Sequence, residues 1–146
     1  MDEARKQAVL RWMQKAENDL RTCQTMGSVE PPVPDTACFH AQQCLEKYLK
    51  AILEKHGMVV RKIHSLPILL DQCVKVYPLL TGMRPDMVCL SEYAVEFRYP
   101  GESAALRDAR EAISILQRSR LNLRIALGLE ASGTLLKSSR LGKKSR

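Results

Sequence analysis

Aromatic side chains are scarce in this chain: one Trp, two Phe and four Tyr make up 5% of its 146 residues. Proteins that hold single-stranded nucleic acid by stacking successive bases need several exposed aromatic rings. The low aromatic content therefore argues against such a platform, and we expect Trp12 and Phe39 to belong to the hydrophobic core. Apolar residues nevertheless reach 45%, which is an ordinary value for one globular domain.

Long hydrophobic runs are also missing. No stretch of the sequence approaches the roughly 20 apolar residues that cross a bilayer. The first ten residues, MDEARKQAVL, contain early acids and no apolar segment of the kind found in signal peptides. The chain has five cysteines, and an odd number does not suit a paired disulfide framework. We therefore expect a soluble cytoplasmic protein with reduced thiols and no membrane partner.

The sequence has no close pair of metal-binding residues of the CxxC or HxxxH type. Cys38, His40 and Cys44 lie near one another in the chain, but their spacing is not typical of zinc sites. Each cysteine falls near an apolar helical stripe, where a thiol acts as a small hydrophobic side chain. We therefore predict no metal site and no cofactor.

Positive charge is concentrated at the C-terminal end of the chain. The net charge is +7, and the last ten residues contain no acid but five basic residues, namely Lys137, Arg140, Lys143, Lys144 and Arg146. Such a segment can hold polyphosphates or nucleic acid by counterion release. It can equally be a disordered end that keeps the protein soluble. We predict a helical domain over residues 1–127 and a basic, disordered tail over residues 128–146.

The spacing of apolar residues predicts about five amphipathic helices and no strand. Proline and glycine separate them, and the expected helices cover about residues 2–27, 35–57, 64–80, 86–98 and 103–127. The expected N-cap residues are Asp2, Asp35, Ser65 and Asp86. Short loops between such helices favour an all-α, antiparallel up-and-down bundle.

Four short motifs follow one another along these helices. The first helix contains WxxxAxxDL from Trp12, and the second contains CFHAQQCLEKYLKA from Cys38. The third begins with HSL at His64, and the fourth ends with RYP at Arg98. Over about residues 5–127 this arrangement resembles the HEPN family, named for its occurrence in higher eukaryotes and prokaryotes and for nucleotide binding. The second-helix segment and the RYP element carry the resemblance together.

The resemblance implies a helical bundle that forms a homodimer. Family members often occur beside a minimal nucleotidyltransferase, as one half of a toxin–antitoxin-like pair. Many are metal-independent ribonucleases whose signature is an arginine, four to six residues and then a histidine, placed in a dimer cleft. In such enzymes the arginine would stabilise phosphate charge and the histidine would support attack by the 2′-hydroxyl group.

This sequence departs from the ribonuclease signature. No arginine lies five to seven residues before His40, His56 or His64, and no histidine follows Arg98. The resemblance therefore implies a nucleotide- or RNA-binding protein without catalytic residues. One alternative is an endoribonuclease toxin with an atypical active site. Another is an interaction protein whose true ligand is the nucleotidyltransferase itself.

Five side chains are the candidate phosphate ligands. Arg98 offers a guanidinium fork that suits a phosphate, or it satisfies the carbonyls at its helix end. Lys47 and Lys50 share one helix face, which is either a groove for a polyanion or a solvated face with Glu–Lys pairs. His64 either pairs with a carboxylate of the second helix or contacts ligand; more often such a residue is a structural cap or a packing histidine. Tyr99 completes the set.

Three further polar positions have two interpretations each. Asp19 either orients a basic partner or is an exposed helix acid. Gln42 and Gln43 lie beside a buried stripe, so we expect one of them to bond inward. The arginines of the fifth helix fall on more than one face, and acids interrupt them, so they form no continuous basic stripe.

Overall fold

The computed structural model describes residues 1–97 and 99–129. Over these residues the chain forms five α-helices and a short 3₁₀ helix without any β-strand, which confirms the predicted all-α bundle. The elements are α1 (Glu3–Ser28), α2 (Pro34–Lys55), α3 (Leu66–Val74), the 3₁₀ helix (Pro78–Met83), α4 (Arg84–Glu96) and α5 (Leu106–Ala126). Most of the predicted basic tail, residues 130–146, lies outside the described residues.

Helix α2 is the centre of the bundle, because it packs against each of α1, α3, α4 and α5. A helix covered on most sides buries more than one face, so its apolar residues exceed a single stripe. Leu45, Tyr48, Leu49 and Ile52 are fully buried. The same enclosure also buries polar residues of α2, and this decides the chemistry described below.

Of the three aspartates predicted to be N-cap residues, one is confirmed and two are wrong. Asp2 caps α1, and its carboxylate accepts a backbone N–H three residues later at 2.8 Å. Asp35 instead lies within the first turn of α2 and accepts the backbone N–H of Ala104. Asp86 lies within the first turn of α4 and accepts two N–H groups of Arg118. These two carboxylates therefore join distant parts of the chain.

Helix α3 ends at Val74, earlier than the predicted end near Leu80. The reason is Pro78, which has no N–H to donate and which disfavours helical backbone at the residue before it. Tyr77 accordingly has φ −134° and ψ 80°. The chain continues as the 3₁₀ helix, which buries Leu80 and Met83, so the apolar residues of this stretch still reach the core.

The cysteines behave as small hydrophobic residues, as predicted. All are free thiols, and four of them, Cys23, Cys38, Cys44 and Cys73, are buried, while Cys89 is partly exposed. No group of three or more His, Cys, Asp or Glu residues within residues 1–97 and 99–129 is arranged to hold a metal ion. In the same part of the chain, every helix is too short or too polar to cross a bilayer.

Candidate functional site

An open groove of about 980 Å³ lies between the N-terminal half of α2, the start of α3 and α4. Ligand pockets for small molecules commonly have volumes of about 300–1,000 Å³. Helix α4 forms one wall with Val88, Ser91, Glu92, Val95 and Glu96. These residues recur at helical spacing on the side of α4 away from its buried stripe. The groove is therefore large enough for a nucleotide.

The α2 wall begins with Phe39, and here the sequence-based expectation was wrong. Phe39 is 41% exposed and lines the groove instead of joining the core. Its ring meets the ring of His40 edge-on, with centroids 5.3 Å apart. Trp12, by contrast, is partly buried and packs against the core, close to its expected place. The groove thus has an aromatic side chain that sequence reasoning assigned elsewhere.

Two neighbouring amides continue the α2 wall. Gln42 is buried, and its Nε2 donates to the backbone carbonyl of His64 at 2.8 Å, which confirms that one of the pair bonds inward. Gln43 Nε2 donates to Gln42 Oε1 at 2.9 Å. The two amides therefore fix the backbone at His64 against α2.

His64 reaches the groove from the loop before α3. Its Nδ1 lies 3.0 Å from Glu46 Oε2, so of the alternatives for this residue the structure shows the pairing with a carboxylate of α2. The His64 side chain is 75% exposed, whereas that of Glu46 is only 4% exposed. Ser65 is the N-cap of α3, as predicted. His64 is therefore an exposed ring held from behind by a buried carboxylate.

Lys50 balances the charge of that carboxylate. Its Nζ lies 3.0 Å from Glu46 Oε2, and both side chains are buried. The ammonium also lies 5.6 Å from the centre of the Trp12 ring. A solvated Glu–Lys face was one interpretation of this position, but enclosure by α1 and α3 makes the pair internal. A phosphate reaches Lys50 only if this pair opens.

Lys47 points toward α1 and not toward the groove. Its Nζ donates to Asp19 and, at 3.3 Å, to Gln43 Oε1. The other oxygen of Asp19 lies 2.8 Å from His40 Nδ1. Asp19 is therefore no exposed helix acid: it holds two basic side chains of α2.

The RYP element follows the α4 wall directly. Val95 and Glu96 line the groove, and Tyr99 is 62% exposed. Arg98 lies outside the described residues. In the sequence it is two residues after Glu96.

Within residues 1–97 and 99–129, no lysine or arginine lines the groove, whereas Glu92 and Glu96 do. Both carboxylates are exposed. Sequence reasoning missed this wall, although Val88, Glu92 and Val95 recur at helical spacing opposite the buried Met87. That spacing was the available signal.

A second polar network joins α1, α2 and α5 away from the groove. Arg120 binds the Glu17 carboxylate with Nε at 2.9 Å and Nη2 at 2.6 Å. Arg124 is 1% exposed and donates to Tyr48 Oη at 2.7 Å, and Tyr48 donates to Glu17. These arginines are therefore used inside the bundle, which fits the absence of a basic stripe on α5.

The sequence and the fold are both similar to those of known proteins. The family model of the HEPN domain matches residues 9–120. A solved structure, that of the protein TT1696 from Thermus thermophilus, is similar at a TM-score of 0.69 and 25% sequence identity. The similarity covers 81% of this chain and 97% of that one. No curated protein matches the sequence.

Proposed function

Because the chain belongs to the HEPN domain family, we propose that it is a non-catalytic homodimer that binds a nucleotide or RNA. It acts with a minimal nucleotidyltransferase in a toxin–antitoxin-like pair. The observation that supports this proposal most is the groove of about 980 Å³, whose walls combine Phe39, the amides of Gln42 and Gln43, the carboxylates of Glu92 and Glu96 and the oriented ring of His64. A few polar groups in a mainly apolar recess are typical of ligand sites.

In this proposal the phosphate of the ligand is bound by Arg98, which follows Glu96 and Phe97 in the sequence. A guanidinium group binds phosphate oxygens through two parallel N–H groups. Tyr99, the next residue in the sequence, is exposed and can donate its hydroxyl group. Lys47 and Lys50 are held in ion pairs within the bundle, so they support the groove walls and leave the phosphate to Arg98.

The homodimer is part of the same proposal. Ile68, Val88 and Val95 are exposed apolar side chains, and the two valines line the groove. Apolar surface of this kind is better covered than left in water. Two copies placed face to face there would form a shared cleft. Sedimentation equilibrium should give twice the 16.5 kDa mass of one chain, and Val95→Glu should shift it toward the monomer.

Fluorescence anisotropy with a short single-stranded RNA tests the binding role. We expect Arg98→Ala to weaken binding about tenfold, the loss of one charge-assisted phosphate contact, with unchanged thermal unfolding. Arg110→Ala is the matched control, because Arg110 is exposed and lies outside the groove lining. If the two variants lose RNA affinity equally, the binding is nonspecific charge attraction and the proposed role of Arg98 is wrong.

The nucleotidyltransferase partner needs a separate test. Co-expression of the two proteins should give a complex that survives size-exclusion chromatography. Suppose that the complex forms equally well with Arg98→Ala and that neither RNA nor a nucleotide binds. The chain is then an interaction protein, and the binding proposal is wrong.

One observation favours the alternative of an atypical endoribonuclease. A histidine oriented by a carboxylate can exchange protons with a substrate, and His64 Nδ1 lies 3.0 Å from Glu46. The sequence still lacks the family's Arg-x4–6-His signature. Cleavage of RNA by the purified protein, abolished in His64→Ala but kept in His56→Ala, would support this alternative. His56 is a suitable control because it lies at the far end of α2, against Tyr77.

A further inference from the structure

Hydrogen-bond acceptors are prominent in the groove, and His64 provides one of them. Its Nδ1 faces the Glu46 carboxylate at 3.0 Å, and a carboxylate accepts hydrogen bonds but does not donate them. Nδ1 therefore carries the hydrogen. In the neutral ring the remaining nitrogen, Nε2, is then an acceptor. Because the side chain is 75% exposed, this acceptor is available to a ligand.

The α4 wall adds more acceptors. Glu92 and Glu96 both line the groove, and neither has a hydrogen bond or ion pair with any residue that the structure describes. Their carboxylates accept hydrogen bonds only. No lysine or arginine among the described lining residues offsets their charge. The groove wall therefore favours a guest that donates hydrogen bonds and disfavours an anion.

The start of α3, which also borders the groove, offers few backbone donors. Helix N-termini usually present free N–H groups to anions. Here the N–H of Leu66 donates to Ser91 Oγ at 3.3 Å, and that of Ile68 donates to Ser65 Oγ at 3.4 Å. Pro67, between them, has no N–H. These N–H groups are occupied, so the backbone of this helix end is a poor phosphate site. The hydroxyl groups of Ser65 and Ser91 accept these bonds and remain the donors on this side of the groove.

Phe39 supplies the remaining element, a partly exposed ring on the opposite wall. An aromatic ring stacks on any nucleobase, because every base has a π-face. Stacking holds the base without reading it. The hydrogen bonds of the base edge then decide which base fits.

From this inventory we propose that the groove is a base-reading site that takes an amino-bearing nucleobase, guanine above the others. This inference rests on the proposed function and names the part of the nucleotide that enters the groove. The base stacks on Phe39, and its N–H groups donate to Glu92 and to Nε2 of His64. The phosphate remains outside, toward Tyr99.

Guanine suits this wall because N1–H and the N2 amino group are adjacent donors, which one carboxylate accepts together. Adenine and cytosine each offer one amino group on that edge. Uracil places carbonyl oxygens on both sides of its single N3–H, so it sets acceptors against the Glu92 carboxylate. A base that covers the exposed Glu92 carboxylate without donating to it removes water from this acceptor and leaves it unpaired, and this cost is the source of discrimination.

The test is isothermal titration of the full chain with GMP, UMP and ribose 5-phosphate. We expect GMP to bind about tenfold more tightly than UMP, the worth of one charge-assisted hydrogen bond. Glu92→Gln, which keeps the side-chain volume but replaces one acceptor with a donor, should bring this ratio close to one. Ribose 5-phosphate has no base, so its affinity should not change. Glu30→Gln, an exposed acid outside the groove, is the control and should keep the wild-type ratio.

Other outcomes overturn the inference in distinguishable ways. Equal affinity for GMP and UMP, or a ratio that survives Glu92→Gln, refutes base reading but leaves nucleotide binding intact. Failure of all three ligands to bind refutes the inference, and the anisotropy measurement with single-stranded RNA then decides separately whether the proposed function holds. If none of them binds but an arginine-rich peptide does, and Glu92→Gln weakens that binding, the groove serves a basic protein partner and the inference is wrong.

Discussion

His64 Nδ1 and Glu46 Oε2 lie 3.0 Å apart, one on a side chain that is mostly in solvent and the other on a side chain that is almost fully buried. The carboxylate accepts from Lys50 through the same oxygen, whereas its Oε1 is buried without a hydrogen-bond partner among the described residues. The orientation of an exposed ring in the groove thus depends on a charge pair inside the bundle.

The first prediction concerns that pair. Glu46→Leu leaves the Lys50 ammonium buried without its carboxylate, so we expect a loss of about 3 kcal/mol or more in the free energy of unfolding. The double variant Glu46→Leu/Lys50→Met should recover most of the loss, because it leaves no buried charge behind. Urea denaturation measures both values. A double variant as unstable as the single one would contradict a charge-pair origin.

Acid stability is the second prediction. Burial raises the pKa of Glu17, but hydrogen bonds from Arg120 and Tyr48 outweigh it and hold this pKa below the ordinary 4.5. The folded state therefore binds the proton less tightly than the unfolded state does. The resulting stabilisation is complete above pH 4.5 and is lost as the pH falls through the folded-state pKa.

Urea midpoints measured from about pH 6 to about pH 3 test this sign. Wild type should lose more stability over this range than Glu17→Gln, which cannot titrate. Glu30→Gln, at an exposed position, should follow the wild-type curve. Parallel curves for wild type and Glu17→Gln would show that Glu17 does not govern acid unfolding.

Thiol reactivity is the third prediction. Burial raises the pKa of Cys23, Cys38 and Cys73 to about 12, so at pH 8 only about one thiol in ten thousand is the reactive thiolate. Burial and the charge of Glu111 also raise the pKa of Cys89, but its side chain is partly exposed.

Titration of the native protein with a thiol-reactive disulfide should therefore label Cys89 first. The other four cysteines should react only after unfolding in denaturant. Cys89→Ser should remove the rapid phase and leave the slow one. Rapid labelling of several thiols in the folded protein would mean that the core opens more readily than its packing indicates.

Phe39 is the subject of the fourth prediction. Because its ring is 41% exposed, Phe39→Ala should cost less than about 1 kcal/mol of stability. Leu45→Ala, at a fully buried position of the same helix, should cost about 2–5 kcal/mol. Nucleotide affinity should fall in Phe39→Ala, as titration with GMP would show. If Phe39→Ala loses as much stability as Leu45→Ala, Phe39 is a core residue in solution and the prediction is wrong.

Much of the candidate site was predictable from single helices. Helical spacing placed Gln42 beside a buried stripe, and its inward hydrogen bond is confirmed. The pairing of His64 with a carboxylate of α2 was one of several alternatives, and the structure selects it. The wall made by Glu92 was not predicted. The apolar spacing through Met87 predicts the face of α4 that fills the core, whereas the face that lines the groove mixes apolar and polar residues.

The sequence by itself determined the five-helix, all-α architecture, because the period of apolar residues and the positions of proline and glycine act within a few residues of chain. The HEPN motifs could be recognised from the sequence because each of them also spans only a few residues. Only the tertiary structure decided which polar faces are enclosed. Helix α2 is covered by four others, so the Glu46–Lys50 pair is internal, whereas Phe39 lies at its uncovered edge. Spacing along one helix fixes which residues share a face, but the neighbours that cover that face come from distant parts of the chain.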